Sequence, residues 1–309
     1  MSWLQLGSPN GAIQSVIANQ DFFYAVDQAT QSLFACIYDQ TVKPLDWRWQ
    51  KVGDAGSMFA TGSSAVPPAS SPISTRVVAL TPNRDGVEEL SGISSGTWGP
   101  VGGPAHEVFT NGLSIWASTP DSSDLWVFNY FGEPGVVTNE WMLHTKGLGP
   151  GTRFVVDSIV AAQPADRSAV YLSVYKNGSY QLQKIGGPAD AVFVSGATVY
   201  AAAPGMQALW EYSDVTQTWK KIGGPASMWT AGAGGLFGLT PAKDAVYQYQ
   251  YNAGAGGWTK VGGPAGSIFA GATPGLGGGA VDVETAPSSL FNLFATAPDG
   301  SQLWGHRVV

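Results

Sequence analysis

The sequence predicts an all-β protein assembled from repeated four-stranded sheets. Three observations predict it. A short phrase recurs along the whole chain of 309 residues, at spacings of 37 to 49 residues. Short apolar or alternating segments, separated by turn residues, fill each interval. Finally, 41 glycines and 20 prolines, about one residue in five, supply the turns that many short strands need.

The phrase reads WGPVGGPA from Trp98, WKKIGGPA from Trp219 and WTKVGGPA from Trp258, and LQKIGGPA from Leu182 without the tryptophan. Worn copies are WQKVGDAG from Trp49, WLQLGSPNG from Trp3 and, weakest, WMLHTKGLGPG from Trp141. After the phrase comes a first strand such as SMFATG, EVFTNG, AVFVSG, SMWTAG or SIFAG. A second follows (FFYAVD, LSIWAST, ATVYAAA, GLFGLTP, NLFATAP), then a third (LFACIYD, LWVFNY, LWEYS, AVYQYQY, LWGHRVV). The next tryptophan strand is the fourth. No segment carries a helical apolar stripe over ten or more residues.

Four strands in about 40–45 residues is the pattern of a propeller blade. One such sheet cannot bury both faces, whereas seven packed face to face can. The expected fold is therefore a seven-bladed β-propeller of four-stranded antiparallel blades, a single domain over 1–309, with six blades as the alternative if the unit at Trp141 is not independent. The chain ends on a third strand, LWGHRVV, and begins with a tryptophan strand, SWLQLG. The N-terminal strand is thus expected to complete the C-terminal blade. In the Gly-Gly-Pro turn, glycine is expected to supply left-handed backbone angles and proline to fix the exit direction. The tryptophan before it is expected to fill the wedge between blades. Two Gly/Pro/Ser-rich loops, 63–75 and 273–289, interrupt their units between first and second strands.

Composition narrows the function. The net charge of −7 with 15 basic residues shows no basic stripe, so nucleic acid and anionic membrane are poor partners. No apolar run reaches the roughly 20 residues of a membrane span. The single cysteine, Cys36, lies in the apolar stretch LFACIY and reads as an inert core residue. The N-terminus has no basic segment followed by an apolar one, which fits cytoplasmic residence.

Enzyme motifs fail one by one. SGISSGTW, from Ser91 to Trp98, has Ile93 where a sialidase-type turn needs Asp. Asp282 and Glu284 could form a carboxylate pair in the last long loop, but a solvated loop explains them as well. His106, His144 and His306 lie in separate repeats without metal-ligand spacing. TPNRDGVEE departs from a calcium loop, AGAGGLFG opens a strand rather than a helix, and no Gly-x-Ser-x-Gly elbow occurs. No catalytic residue, cofactor or metal is expected.

Binding remains. Aromatics recur in the third strand (Phe34, Trp126, Tyr171, Trp210, Tyr247, Trp304) and in the second (Tyr24, Trp116, Tyr200, Phe237, Phe294). Such columns can point into grooves between blades, although packing the blades together is the commoner role for any one of them. Trp126, Trp210 and Trp304 lie just after a hairpin turn and are the leading candidates; Tyr247, Trp116 and Tyr200 join them. The position after GGPA varies in polarity (His106, Asp190, Ser227, Gly266), so His106 and Asp190 could tune individual pockets.

The combination W-x-x-[IV]-G-G followed by short aromatic strands, with the phrase LFATAPDGSQLWGHR, resembles the tachylectin and tectonin group of propeller lectins. The resemblance runs through the repeat over the whole chain, although these units read Gly-Gly-Pro-Ala where that group has Gly-Gly-Trp. It implies a lectin for N-acetylglucosamine, fucose or methylated sugars at several equivalent sites between neighbouring blades. Glycans or glycoproteins would be the partners, and a homo-oligomer is compatible. A sugar's apolar C–H face suits an aromatic plate, and repeated weak sites gain avidity of about 10²–10⁴-fold on arrayed ligands. A propeller glycosidase and a protein-interaction scaffold are the alternatives; the Gly-His and Trp-Asp pairs of one scaffold type are absent.

Overall fold

The computed structural model describes residues 2–19, 22–39, 46–64, 74–91, 96–129, 140–232, 235–250, 256–271 and 291–307. Strand β1 (Ser2–Gly7) opens the chain. The first blade is β2 (Ile13–Ala18), β3 (Phe23–Asp27), β4 (Ser32–Asp39) and β5 (Asp46–Ala55). The second is β6 (Met58–Ser64), β7 (Ser74–Leu80), β8 (Val87–Leu90) and β9 (Trp98–Gly102). The third is β10 (Val108–Thr110), β11 (Ser114–Ser118), β12 (Asp124–Asn129) and β13 (Trp141–Lys146). The fourth is β14 (Arg153–Val156), β15 (Val160–Gln163), β16 (Val170–Lys176) and β17 (Ser179–Gly186). The fifth is β18 (Ala191–Ser195), β19 (Thr198–Ala202), β20 (Leu209–Ser213) and β21 (Thr218–Gly223). The sixth is β22 (Met228–Gly232), β23 (Gly235–Leu239), β24 (Val246–Gln250) and β25 (Gly257–Gly262). The seventh is β26 (Ile268–Ala270), β27 (Phe291–Thr296) and β28 (Leu303–Arg307).

Each of the seven sheets is a four-stranded meander, and β1 supplies the missing strand of the last, in the order β1-β28-β27-β26. Trp3 lies opposite His306 in that antiparallel pair. The fold is a seven-bladed β-propeller of four-stranded antiparallel sheets, and the unit around Trp141 carries a full blade, so the six-blade count falls. Among the described residues the only helical segment is one 3-10 turn, Pro204–Met206. No helix among them is long and apolar enough to cross a membrane.

The chain forms two compact units: Met1–Gly56, 92–96 and Ile222–Val309 in one, Ser57–Ser91 and Thr97–Lys221 in the other. In the first unit Phe23, Phe291 and Phe294 pack together with Leu6, Cys36 and Leu303. Cys36 is fully buried, and burial pushes its thiol up, away from the reactive thiolate. In the second unit Val78, Leu80, Val108, Ile115 and Phe128 form one cluster, and Val170, Val194, Val199 and Tyr212 another.

The repeated phrase has a different physical reason from the expected one. None of the glycines in the four Gly-Gly-Pro phrases adopts positive φ. Instead, the first glycine makes room for an indole. A β-carbon on Gly102 would sit 2.9 Å from the Trp141 ring, one on Gly186 3.1 Å from Trp219, and one on Gly262 2.9 Å from Trp3. The left-handed positions are elsewhere, among them Arg84, Arg167 and Lys243 in turns between second and third strands. Their carbonyls accept from the alanine of the phrase: Ala105 to Arg84 at 3.2 Å, Ala189 to Arg167 at 3.2 Å, Ala265 to Lys243 at 3.1 Å.

Candidate functional site

The indole resting on that glycine is also hydrogen-bonded. In the first unit Nε1 of Trp3 donates to the Val261 carbonyl at 2.6 Å, Trp49 to Leu6 at 3.0 Å, and Trp258 to Ile222 at 2.5 Å. In the second unit Trp141 donates to Val101 at 2.8 Å and Trp219 to Ile185 at 2.7 Å. The acceptor always lies three residues after the tryptophan position of the neighbouring phrase, the preceding one for Trp49, Trp141, Trp219 and Trp258 and the last one for Trp3. The tryptophan is therefore a structural hitch, as expected, and its exposed edge becomes a pocket wall.

Three pockets repeat this construction. In the third blade Gly103–Ala105, Ala117–Pro120, Trp126 and Trp141 enclose about 200 Å³. In the fifth, Gly186–Ala189, Ala201, Ala203, Trp210 and Trp219 enclose about 250 Å³. In the sixth, Gly224–Ala226, Trp229, Gly238–Thr240, Tyr247 and Trp258 enclose about 170 Å³. Each has a Gly-Pro-Ala wall, a small residue on the second strand as floor, the third-strand aromatic, and the fourth-strand tryptophan. The register explains the assembly. Trp126 lies opposite Ala117, Trp210 opposite Ala201 and Tyr247 opposite Gly238, so each large ring stands beside a small floor residue. Trp304 takes the corresponding place in the seventh blade, opposite Ala295.

The second-strand aromatics do not reach these pockets. Each precedes the floor residue by one position, and neighbouring strand residues face opposite ways. Tyr200 is buried at 2% exposure, and Tyr24, Phe237 and Phe294 are buried with it. Trp116 packs instead against a cluster holding Leu125, Phe154, Val160 and Ala162. His106 and Asp190 do not line the pockets either. They begin the next blade, where their backbone N–H groups donate to Ser118 and Ala202 at 3.2 and 2.9 Å. The Arg84 guanidinium donates to the His106 carbonyl at 3.0 Å, and the Asp190 carboxylate accepts from the Gly205 N–H at 2.5 Å. The His106 ring, its Nδ1 3.2 Å from the same guanidinium, is tied to the second-blade turn, and the Asp190 carboxylate braces a turn of its own blade. Asp282 and Glu284 and the two long loops, apart from strand ends at 63–64 and 74–75, lie outside the described residues.

Three wall residues, Trp141, Trp219 and Trp258, carry a second role that sequence reasoning assigned to packing alone. Trp229 was missed. Aligning first strands on their aromatics matches Trp229 with Phe109, Phe193 and Phe269. Counting from the Gly-Gly-Pro-Ala phrase puts it one place earlier, on the opposite face. Among the described residues no group of three His, Cys, Asp or Glu side chains converges on one point.

The fourth blade lacks the hitch, because Leu182 stands at the tryptophan position. Its seam with the third blade is filled by His144, whose ring lies 4.1 Å from that of Tyr180 and 4.8 Å from that of Trp116. Ser173 Oγ is 3.3 Å from His144 Nε2. Burial lowers the His144 pKa to about 4, from 6.5 in the unfolded chain. The unfolded chain therefore takes up the proton first as the pH falls, and stability present above pH 6.5 is lost progressively toward pH 4. Solvent screening at this partly exposed ring reduces the loss to about 1–2 kcal/mol. His306, buried beside Trp3, acts in the same direction. Urea midpoints at pH 7 and pH 4.5 measure the effect. His144→Gln is expected to flatten the pH dependence, and an unchanged slope refutes the assignment.

No family model matches the chain, and no curated protein matches its sequence. Solved structures do. YCF48 bound to D1 peptide is similar at TM-score 0.55 and 10% identity, over 99% of this chain and 97% of that one. Hsv2 of Kluyveromyces marxianus is similar at TM-score 0.52 and 11% identity, over 94% and 90%. At such identities the likeness is one of fold.

Proposed function

We propose that the chain is a non-enzymatic, carbohydrate-binding propeller that takes terminal sugars in its repeated aromatic pockets. One observation carries the reading: the same pocket, a tryptophan plate beside a Gly-Pro-Ala wall, recurs in the third and fifth blades around Trp126 and Trp210. A sugar ring can lay its C–H face on the indole while backbone groups of the Gly-Pro-Ala wall meet its rim. The fifth-blade pocket, with Ala203 where the third has Thr119, is the more apolar and suits a methylated or acetylated sugar. Repetition supports binding over catalysis, since several weak sites add avidity.

The test is a glycan array followed by titration calorimetry on the sugars that bind. Trp126→Ala and Trp210→Ala are each expected to remove one site from the stoichiometry, and the double variant to lose retention on arrayed glycans by about 10²-fold or more. An array without hits, with flat calorimetry, overturns the reading.

A protein partner is the second reading. It draws on the exposed apolar side chains Met142, Leu143, Tyr175 and Tyr180, which lie on the outer strands of the third and fourth blades and the hairpin beside them. A propeller neighbour solved with a peptide supports it by analogy of fold. A partner that free sugar does not elute would favour this reading.

A further inference from the structure

The sixth-blade pocket is not a copy of the other two. Three residues after its Gly-Gly-Pro-Ala phrase stands Trp229, where the third, fifth and seventh blades have Val108, Val192 and Ile268. Its cross-strand partner is Gly238, where those blades have Ala117, Ala201 and Ala295. The two changes belong together. A β-carbon on Gly238 would lie 2.2 Å from Cζ3 of Trp229. The next residue along the same row is Tyr247, and Trp258 stands beside it, its ring 5.1 Å from that of Trp229 at 48°. Three aromatic rings thus face one cavity of about 170 Å³, and none of its lining residues is charged.

Trp229 is not there for its hydrogen bond. Trp3, Trp49, Trp141, Trp219 and Trp258 each donate Nε1–H to a carbonyl, whereas Trp229 is 6% exposed and its Nε1 has no acceptor among the described residues. Such an orphan donor is unfavourable, so the ring's face is what the position supplies. Aromatic faces carry negative quadrupole density and attract soft cations. Beside the cavity, the lining residue Thr240 donates its hydroxyl to the Asp244 carboxylate at 2.5 Å. That bond, with a smaller effect of Lys260, the residue opposite Tyr247, holds the carboxyl below its usual range, so a carboxylate stands one residue contact from the cavity wall. The cation on the same turn, Lys243, is turned to the Gly266 carbonyl at 3.2 Å.

We propose that the sixth-blade pocket is an aromatic cage for an alkylated ammonium group, of the kind carried by choline or a methylated amine. The proposal goes beyond the sugar reading and does not rest on it.

The test is titration calorimetry and tryptophan fluorescence on the whole chain with choline, tetramethylammonium and the neutral isostere 3,3-dimethylbutan-1-ol. Both cations are expected to bind at one site, with the isostere at least tenfold weaker. Trp229→Val with Gly238→Ala installs the residue pair of the third and fifth blades, and is expected to weaken cation binding at least tenfold. Tyr247→Leu, at the partly exposed wall, gives a second variant should the double variant fold poorly, and is expected to weaken binding about fivefold. Absence of cation binding, equal binding of the isostere, or affinity unchanged in these variants overturns the proposal. Trp126→Ala and Trp210→Ala leave choline binding intact while removing sugar sites, so the two readings fail separately.

Discussion

Gly238→Ala lowers the stability of the chain by about 3 kcal/mol, seen as a drop in urea midpoint without loss of the cooperative transition. The reason is local and steric. The added methyl would stand 2.2 Å from one carbon of the Trp229 ring and 2.7 Å from another. Neither partner can move freely. Gly238 is held between β22 and β24 by the ladder, and Trp229 is buried against Trp258. Trp229→Val in the same chain removes the obstruction and is expected to restore most of the loss. A double-mutant cycle then reads a coupling energy of about 2 kcal/mol or more. A Gly238→Ala variant as stable as the parent would show that Trp229 does not lie over Gly238, and the cage would go with it.

Trp3→Ala has the larger effect, about 3–5 kcal/mol, because one side chain serves several contacts. Its ring lies over Gly262, its Nε1 donates to Val261, and its face meets His306 at 5.1 Å. It also sits on β1, the strand that completes the last blade. Trp3→Phe keeps a ring but abandons the Val261 carbonyl, and is expected to lose about 1–3 kcal/mol. Thermal or urea denaturation of the three proteins checks the order, parent above Phe above Ala. If Trp3→Phe matched the parent, the indole hydrogen bond would contribute nothing to holding the seam.

The architecture was legible because it is written in repetition. Seven phrases announce seven outer strands, and the unmatched strand at each end of the chain announces the shared last blade. The third-strand aromatics were legible too, since Trp126, Trp210 and Tyr247 follow fixed distances from a turn. What failed was the choice of face. Trp116 and Tyr200 precede small floor residues by a single position, and in a strand that places them on the other side. The glycines of the phrase were assigned to backbone freedom, because a glycine's need for space depends on a ring in the neighbouring phrase, which for Gly262 is Trp3 at the other end of the chain. His106 and Asp190 vary because their side chains brace different local turns. Trp229 was visible in principle, by counting from the phrase instead of matching ring to ring.

The indole hitches run in one direction, each strand fastened to the preceding phrase, except that Trp3 is fastened to the last. Leu182 leaves one fastening out, and His144 and Tyr180 fill the gap with a ring that loses its neutral state in acid. A structure tied in series gives way at its loosest knot. Here that knot lies beside exposed Met142, Leu143 and Tyr180, so loosening it would widen an apolar surface that is already on view.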